Sequence, residues 1–178
     1  MGETTQFGLA LDGFVVAPDR PTLAEVLGGA DAYRARFTYH RDCFDWADSL
    51  ISEREADDAR DVVLVVEAGR PVGMMELVLD GSVLTIALLV VVESARLRGV
   101  GMSAVDRIAA AALAARSITT APFIDALAIG VEMQNRSARA FWERIGFVEV
   151  STVGSGVARI ANLERWLAAN PDEQQAGL

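Results

Sequence analysis

Three apolar runs in close succession constrain this chain more than any other feature. Val62 to Val66 leads through Gly69-Arg70-Pro71 to Val72–Leu79, which leads through Asp80-Gly81 to Leu84–Val92. Asp-Gly between β-rich runs is a strong hairpin signal, because both residues tolerate the left-handed backbone of tight turns. The spacing therefore predicts an antiparallel meander. Its last run is apolar at nearly every position, as in a strand buried on both faces.

From Gly101 the period becomes helical. Val105, Ile108, Ala109 and Ala112 share one stripe, with Leu113 at its edge and Arg107 opposite. This helix is expected to fray near Arg116 and Ser117, and Pro122 blocks its continuation. Asp125 to Val131 reads as another strand. Strand, helix, strand in that order implies a crossover and one parallel pair.

The flanking segments are less regular. Gly8 to Val16 reads as a strand interrupted at Asp12-Gly13, and Thr22 as the cap of a short helix, Leu23 to Leu27, closed by Gly28-Gly29. Residues 31–58 read as helical, anchored by Phe37, Phe44 and Trp46. Ala138, Phe141, Trp142 and Ile145 mark a short amphipathic helix ended by Gly146. Phe147–Val153 and Val157–Ala161 are expected to form a hairpin around Gly154-Ser155-Gly156, with Leu163–Ala169 a last helix. The prediction is one α+β domain over residues 1–169, with a mixed, mostly antiparallel central sheet flanked by helices. Residues 170–178 are expected to form a polar, mobile tail.

Composition excludes some classes of function. No apolar stretch approaches the roughly 20 residues that span a bilayer. A net charge of −9, in a chain without lysine, argues against nucleic-acid binding and is compatible with a cationic substrate. Cys43 is the only cysteine, so no internal disulfide can form. The opening Met-Gly-Glu-Thr-Thr-Gln lacks the pattern of a secretory signal, and the expected compartment is the cytoplasm.

The chemistry concentrates in Arg96-Leu97-Arg98-Gly99-Val100-Gly101, where a buried strand gives way to a helix. Glycine permits positive φ, so successive backbone N–H groups can converge on an anion. The first helical turn adds unpaired N–H groups and the positive end of its dipole. Arg96 and Arg98 supply full charges, and a pyrophosphate is the matching guest. The alternative is a tight turn with two solvated arginines. The glycine spacing is not that of a dinucleotide fingerprint, and no Gly-Lys-Ser/Thr marks a P-loop.

Downstream of the strand Asp125–Val131 runs Asn135-Arg136-Ser137-Ala138-Arg139-Ala140-Phe141-Trp142-Glu143-Arg144-Ile145-Gly146-Phe147. Together with the first turn it resembles the GNAT superfamily of N-acetyltransferases. That family carries Arg/Gln-x-x-Gly-x-Gly/Ala after its fourth strand, matched here by Arg96, Gly99 and Gly101. After its fifth strand it carries Asn-x-x-Ala, an apolar-aromatic pair, a charged pair and Gly-Phe. Asn135, Ala138, Phe141, Gly146 and Phe147 match that pattern, and the element order extends the likeness over Val62 to Ala161.

The resemblance implies a GNAT-like acyl-CoA N-acyltransferase fold. It also implies acetyl-CoA as co-substrate, without a metal, and a small amine as acceptor. Backbone groups of Leu89, Val90 and Val91 would pair with the pantetheine arm, and Arg96 to Gly101, with Met102 and Ser103, would hold the pyrophosphate. Asn135 would contact the cofactor or cap its helix. The amine would attack the thioester directly, with a strand N–H near Leu89 stabilising the oxyanion.

Trp142 stands at the usual general-acid position, commonly tyrosine, and contacts the cofactor if it packs on the pantetheine. Its indole is too weak an acid to protonate a thiolate. A non-catalytic acyl-CoA-binding relative is therefore the alternative reading. Glu76, in an apolar strand, and His40, the only histidine, are the base candidates, each set against an ordinary surface placement. Asp42, Asp45 and Asp48 could attract a cationic acceptor or be solvated helix charges. A homodimer is common in such relatives.

Overall fold

The computed structural model describes residues 2–30, 40–155 and 159–167. A seven-stranded sheet forms its centre. The chain begins with β1 (Glu3–Thr4) and β2 (Ala10–Leu11), a small separate hairpin, and β3 (Phe14–Val16). Helices α1 (Arg20–Gly28) and α2 (Cys43–Ala56) follow. The meander is β4 (Arg60–Glu67), β5 (Arg70–Asp80) and β6 (Val83–Val91). Then come α3 (Val100–Ala115), β7 (Ala126–Glu132), α4 (Arg136–Arg144), β8 (Val148–Val153) and β9 (Ile160–Trp166).

Strand order is β3-β4-β5-β6-β7-β9-β8, and every pair is antiparallel except β6 with β7. The mixed α+β sheet, the meander and the parallel crossover are as the sequence predicts. The turns sit slightly differently. Ala68 and Gly69, with φ of 48° and 74°, form the first, so Arg70 and Pro71 already belong to the strand. Gly81-Ser82 forms the second, between the paired residues Asp80 and Val83.

Alternation along the strands separates two cores. Val63, Val65, Met75, Leu77, Leu84 and Ile86 face α3 and α4, where Val105, Ile108, Trp142 and Ile145 complete a cluster. Val62, Leu64, Met74 and Val90 face α1 and α2, against Leu23, Leu27, Trp46 and Leu50. Each large aliphatic side chain buried this way contributes about 1.5–3 kcal/mol. The predicted stripe of α3 is buried throughout, and Leu113 at its edge is exposed.

Four local expectations are corrected. Leu163 to Trp166 is not helical but part of β9, paired with β7 from Ala126↔Trp166 to Glu132↔Ile160. Ala161 and Leu163 are buried on one face while Asn162 and Glu164 are partly exposed, an alternation that tertiary pairing selects over helical propensity. The cap of α1 is Asp19, whose carboxylate accepts from the Thr22 N–H at 2.8 Å, so the helix starts before Pro21. Helix α2 starts only at Cys43, because Asp42 adopts an extended conformation and accepts from the N–H groups of Phe44 and Asp45. Finally, Gly8 to Val16 is not one strand: β2 pairs with β1, and β3 with β4. Residues 31–39, the turn from Gly156 and the tail from 170 lie outside the described residues.

Candidate active site

The strands that should stay paired do not. Strands β6 and β7 register only at Val83↔Ala126, Leu84↔Leu127 and Thr85↔Ala128, although each continues well beyond. Across β6 from this split, β5 steps from Glu76↔Leu88 to Leu77↔Ile86, leaving Ala87 as an extra residue. A bulge bends its strand and raises the local twist, which turns the end of β6 away from β7. The main chain of Leu88 to Val91 continues beyond the last β6–β7 pair. Leu89, Val90 and Val91 therefore lie on an edge that β7 leaves without ladder partners.

At the open end of β6 a short 3-10 turn, Glu93–Ala95, leads into the glycine turn. Leu97 is left-handed at φ 59° with its side chain fully in solvent, and Gly99 caps α3 at φ 82°. The left-handed Leu97 costs about 1–2 kcal/mol relative to an ordinary turn. The Ser103 N–H donates to the Gly99 carbonyl at 2.9 Å and starts the helical ladder. Among the described residues no acceptor takes the N–H groups of Leu97 to Met102. These amides lie at the N-terminus of a 16-residue helix, where unpaired N–H groups and the helix dipole favour negative charge.

The two arginines differ. Arg96 folds back, its Nε donating to the Val91 carbonyl at 3.0 Å and its Nη1 lying 3.8 Å from Glu93. Arg98 has no ion-pair partner among the described residues and is exposed. Gly101 is closely packed: a Cβ there would stand 3.3 Å from the Phe141 ring, tighter than usual, and 3.6 Å from Leu89. Its absence lets the first turn of α3 lie close to β6. An unpaired strand edge, a run of unmatched amides and a bare helix N-terminus fit the pantetheine and pyrophosphate of an acyl-CoA.

Asn135 caps α4, its Oδ1 accepting from the Ala138 N–H at 3.3 Å and the Ser137 hydroxyl at 3.2 Å. Trp142 lies edge-on to both Phe141 and Phe147 and is only 4% exposed. Glu76 is buried on the α1–α2 side, where Arg60 donates to its carboxylate and also pairs with Glu53 at 2.9 Å. Burial pushes the Glu76 carboxyl up, and the Arg60 charge works against that. His40 stacks on Trp46 with centroids 5.8 Å apart, its Nδ1 3.6 Å from Asp45. The Asp45 carboxyl is held below its ordinary range by the Arg41 N–H. Asp42 and Asp48 are engaged in the α2 cap and with Arg20 respectively.

The bulge at Ala87 and the early end of β6–β7 pairing carry no local sequence signal. One trace exists in β7, where small residues alternate with large: Ala126, Ala128 and Gly130 against Leu127, Ile129 and Val131. That pattern marks a strand with one thin face.

A split parallel pair leading to an amide-rich helix start is the arrangement that the resemblance to the N-acetyltransferases implies. The acetyltransferase (GNAT) family model matches residues 30–147, and the chain belongs to that family. Its fold is similar to an acetyltransferase from Thermus thermophilus, with 24% identity over 88% of this chain and 99% of that one, TM-score 0.67. It is similar to a variant of the spermidine N-acetyltransferase SpeG from Vibrio cholerae, with 15% identity over 86% and 94%, TM-score 0.64. An aminoglycoside 6'-acetyltransferase type Ii shares 16% identity over 88% and 99%, TM-score 0.62. No curated protein sequence matches the chain. Among the described residues no helix is long and apolar enough to cross a membrane.

Proposed function

We infer that the protein transfers the acetyl group of acetyl-CoA to the amine of a small acceptor by direct attack. The carrying observation is the split of β6 from β7 beside the unmatched amides of Leu97 to Met102. In this reading the amides and Arg98 hold the pyrophosphate, and the β6 edge at Leu89 to Val91 aligns the pantetheine as an added strand. Gly101 keeps the two close together.

Acetyl-CoA supplies a thioester whose carbonyl carbon accepts the nucleophile. A β6 N–H near Leu89, fixed by its strand, supports the charge that develops on the carbonyl oxygen. The nitrogen–carbon bond forms, the carbon–sulfur bond breaks, and the electron pair leaves on sulfur. The attacking amine must first be neutral. Glu76 is the nearest buried carboxylate to the bulge, and its raised affinity for a proton is in the direction a base needs. Its contact with Arg60 makes His40 the second candidate. Trp142 is assigned to packing, so the thiolate leaves without a positioned acid, which water replaces.

The test measures CoA binding by calorimetry and thiol release with a panel of amines. Saturable CoA binding with amine-dependent thiol release is expected. Binding without release from any amine would instead favour the non-catalytic acyl-CoA-binding reading, to which the buried Trp142 already lends weight.

A further inference from the structure

Strand β6 gives way to the glycine turn at Val92 and Glu93, and a distant element fixes that junction. The Val92 N–H donates to the Val72 carbonyl at 3.0 Å, the rung that ends β6 against β5. One residue on, the Glu93 N–H donates to the carbonyl of Gly29 at 3.1 Å. Gly29 is the C-cap of α1, a helix whose Leu23, Ala24, Val26 and Leu27 are all buried. Val92 itself packs against both cores. The glycine turn therefore takes its bearing from α1.

Close approach, and not backbone conformation, explains the glycine at position 29. At φ −68° and ψ −4° it is right-handed helical, a conformation open to any residue. A Cβ there would stand 3.0 Å from Cγ1 and 3.3 Å from Cβ of Val92, and 3.4 Å from the Val26 carbonyl oxygen. That carbonyl belongs to the buried helix, so an added side chain would push on Val92 at the strand end. The Ala95 N–H donates to the Val92 carbonyl at 3.0 Å and the Arg96 N–H to the Glu93 carbonyl at 3.2 Å. These bonds carry a displacement of Val92 into the turn that follows.

We propose that Gly29 is a positioning residue for the cofactor, setting where the glycine turn stands relative to the β6 edge. The inference rests on the acetyl-CoA reading above, in which one ligand spans the edge at Leu89 to Val91 and the amides of Leu97 to Met102. Gly29 belongs to neither. A ligand held at two places loses the benefit of the second when their spacing changes, whereas a ligand held at one place is unaffected.

ADP and CoA separate the two cases, because ADP carries the pyrophosphate without the pantetheine arm. Both are titrated by calorimetry into the full chain, with thermal unfolding of the ligand-free protein to check folding. CoA should bind the parent more tightly than ADP does. Gly29→Val should weaken CoA about tenfold and change ADP by less than about twofold. Adding Val92→Ala, which clears room for the new side chain, should restore most of the CoA affinity. If valine prevents folding, Gly29→Ala takes its place, with about a threefold loss for CoA alone. Equal loss of both ligands, unchanged CoA affinity, or a loss that Val92→Ala does not relieve overturns the proposal and leaves the cofactor reading intact. A parent that binds CoA no more tightly than ADP overturns the cofactor reading itself, and the proposal with it.

Discussion

Trp142 meets Phe147 edge to face, with ring centroids 5.0 Å apart and planes inclined at 68°. Phe141 closes on its other side at the same distance. The indole thus packs α4 onto the sheet. Trp142→Ala is expected to cost about 3–5 kcal/mol of stability, read by denaturant unfolding. Trp142→Phe should keep acetyl transfer within tenfold of the parent. A positioned acid is worth roughly 10²–10⁴ in rate, so a loss of that size in a folded Phe variant would return the indole to the chemistry.

Arg98 is the uncommitted charge of the glycine turn, whereas Arg96 is spent on Val91 and Glu93. Arg98→Ala should weaken CoA binding by about fivefold to tenfold, with a smaller effect at high salt. The unfolding midpoint without CoA should not move, since the side chain is exposed. Equal calorimetric affinity for parent and variant would remove Arg98 from the site.

Glu76 has a testable pH signature. Its carboxyl is raised by burial, so the folded state holds the proton to higher pH than the unfolded chain does. Between the ordinary carboxylate value and the raised one, the folded state binds more protons, and this contribution to stability declines as pH rises. Glu76→Gln removes the titration. Parent minus variant stability, measured by thermal unfolding across the acid range, should therefore fall with rising pH. If Glu76 is also the base, the acid limb of kcat/KM disappears in the same variant. An unchanged profile assigns the base elsewhere.

Asp61 anchors the N-terminus to the sheet. It is fully buried and accepts from the N–H groups of Gln6 at 2.8 Å and Val62 at 2.9 Å, and from Arg54 Nε at 2.7 Å. Asp61→Ala leaves two amides and the partly exposed Arg54 guanidinium without their acceptor, and should cost about 1–3 kcal/mol. Arg54→Ala leaves the two amide bonds in place and should cost less. The order of the two unfolding midpoints checks this.

CoA itself should report on the site. A ligand at a hundredfold its Kd adds about 2.7 kcal/mol to the stability of the folded state. At roughly 2–4 °C per kcal/mol for a chain of this size, the midpoint should rise by about 5–10 °C. Free adenosine, lacking the pyrophosphate, should give a far smaller rise.

Where pattern and environment agree, the residues alone announce the structure. The meander was legible because turn chemistry at Gly69 and Gly81 flanks runs whose periods leave no competing element. Helix α3 was legible from the stripe of Val105, Ile108, Ala109 and Ala112, and its start from Gly99 and Gly101 at its head. These signals are local: each comes from a few adjacent residues and holds whatever the rest of the chain does.

Long-range pairing decided the remainder. Leu163 to Trp166 could serve a helix or a strand, and only the vacant edge of β7 selects the strand. Asp42 looks like one more helix charge until its carboxylate is seen closing the start of α2. Glu76 and Trp142 were nameable as candidates, but Arg60 beside one and Phe147 against the other come from distant sequence. The parting of β6 from β7 after Thr85 and the bulge at Ala87 have no local signature. Strand register is set by the summed fit of several chains to one another, and no single segment contains that information.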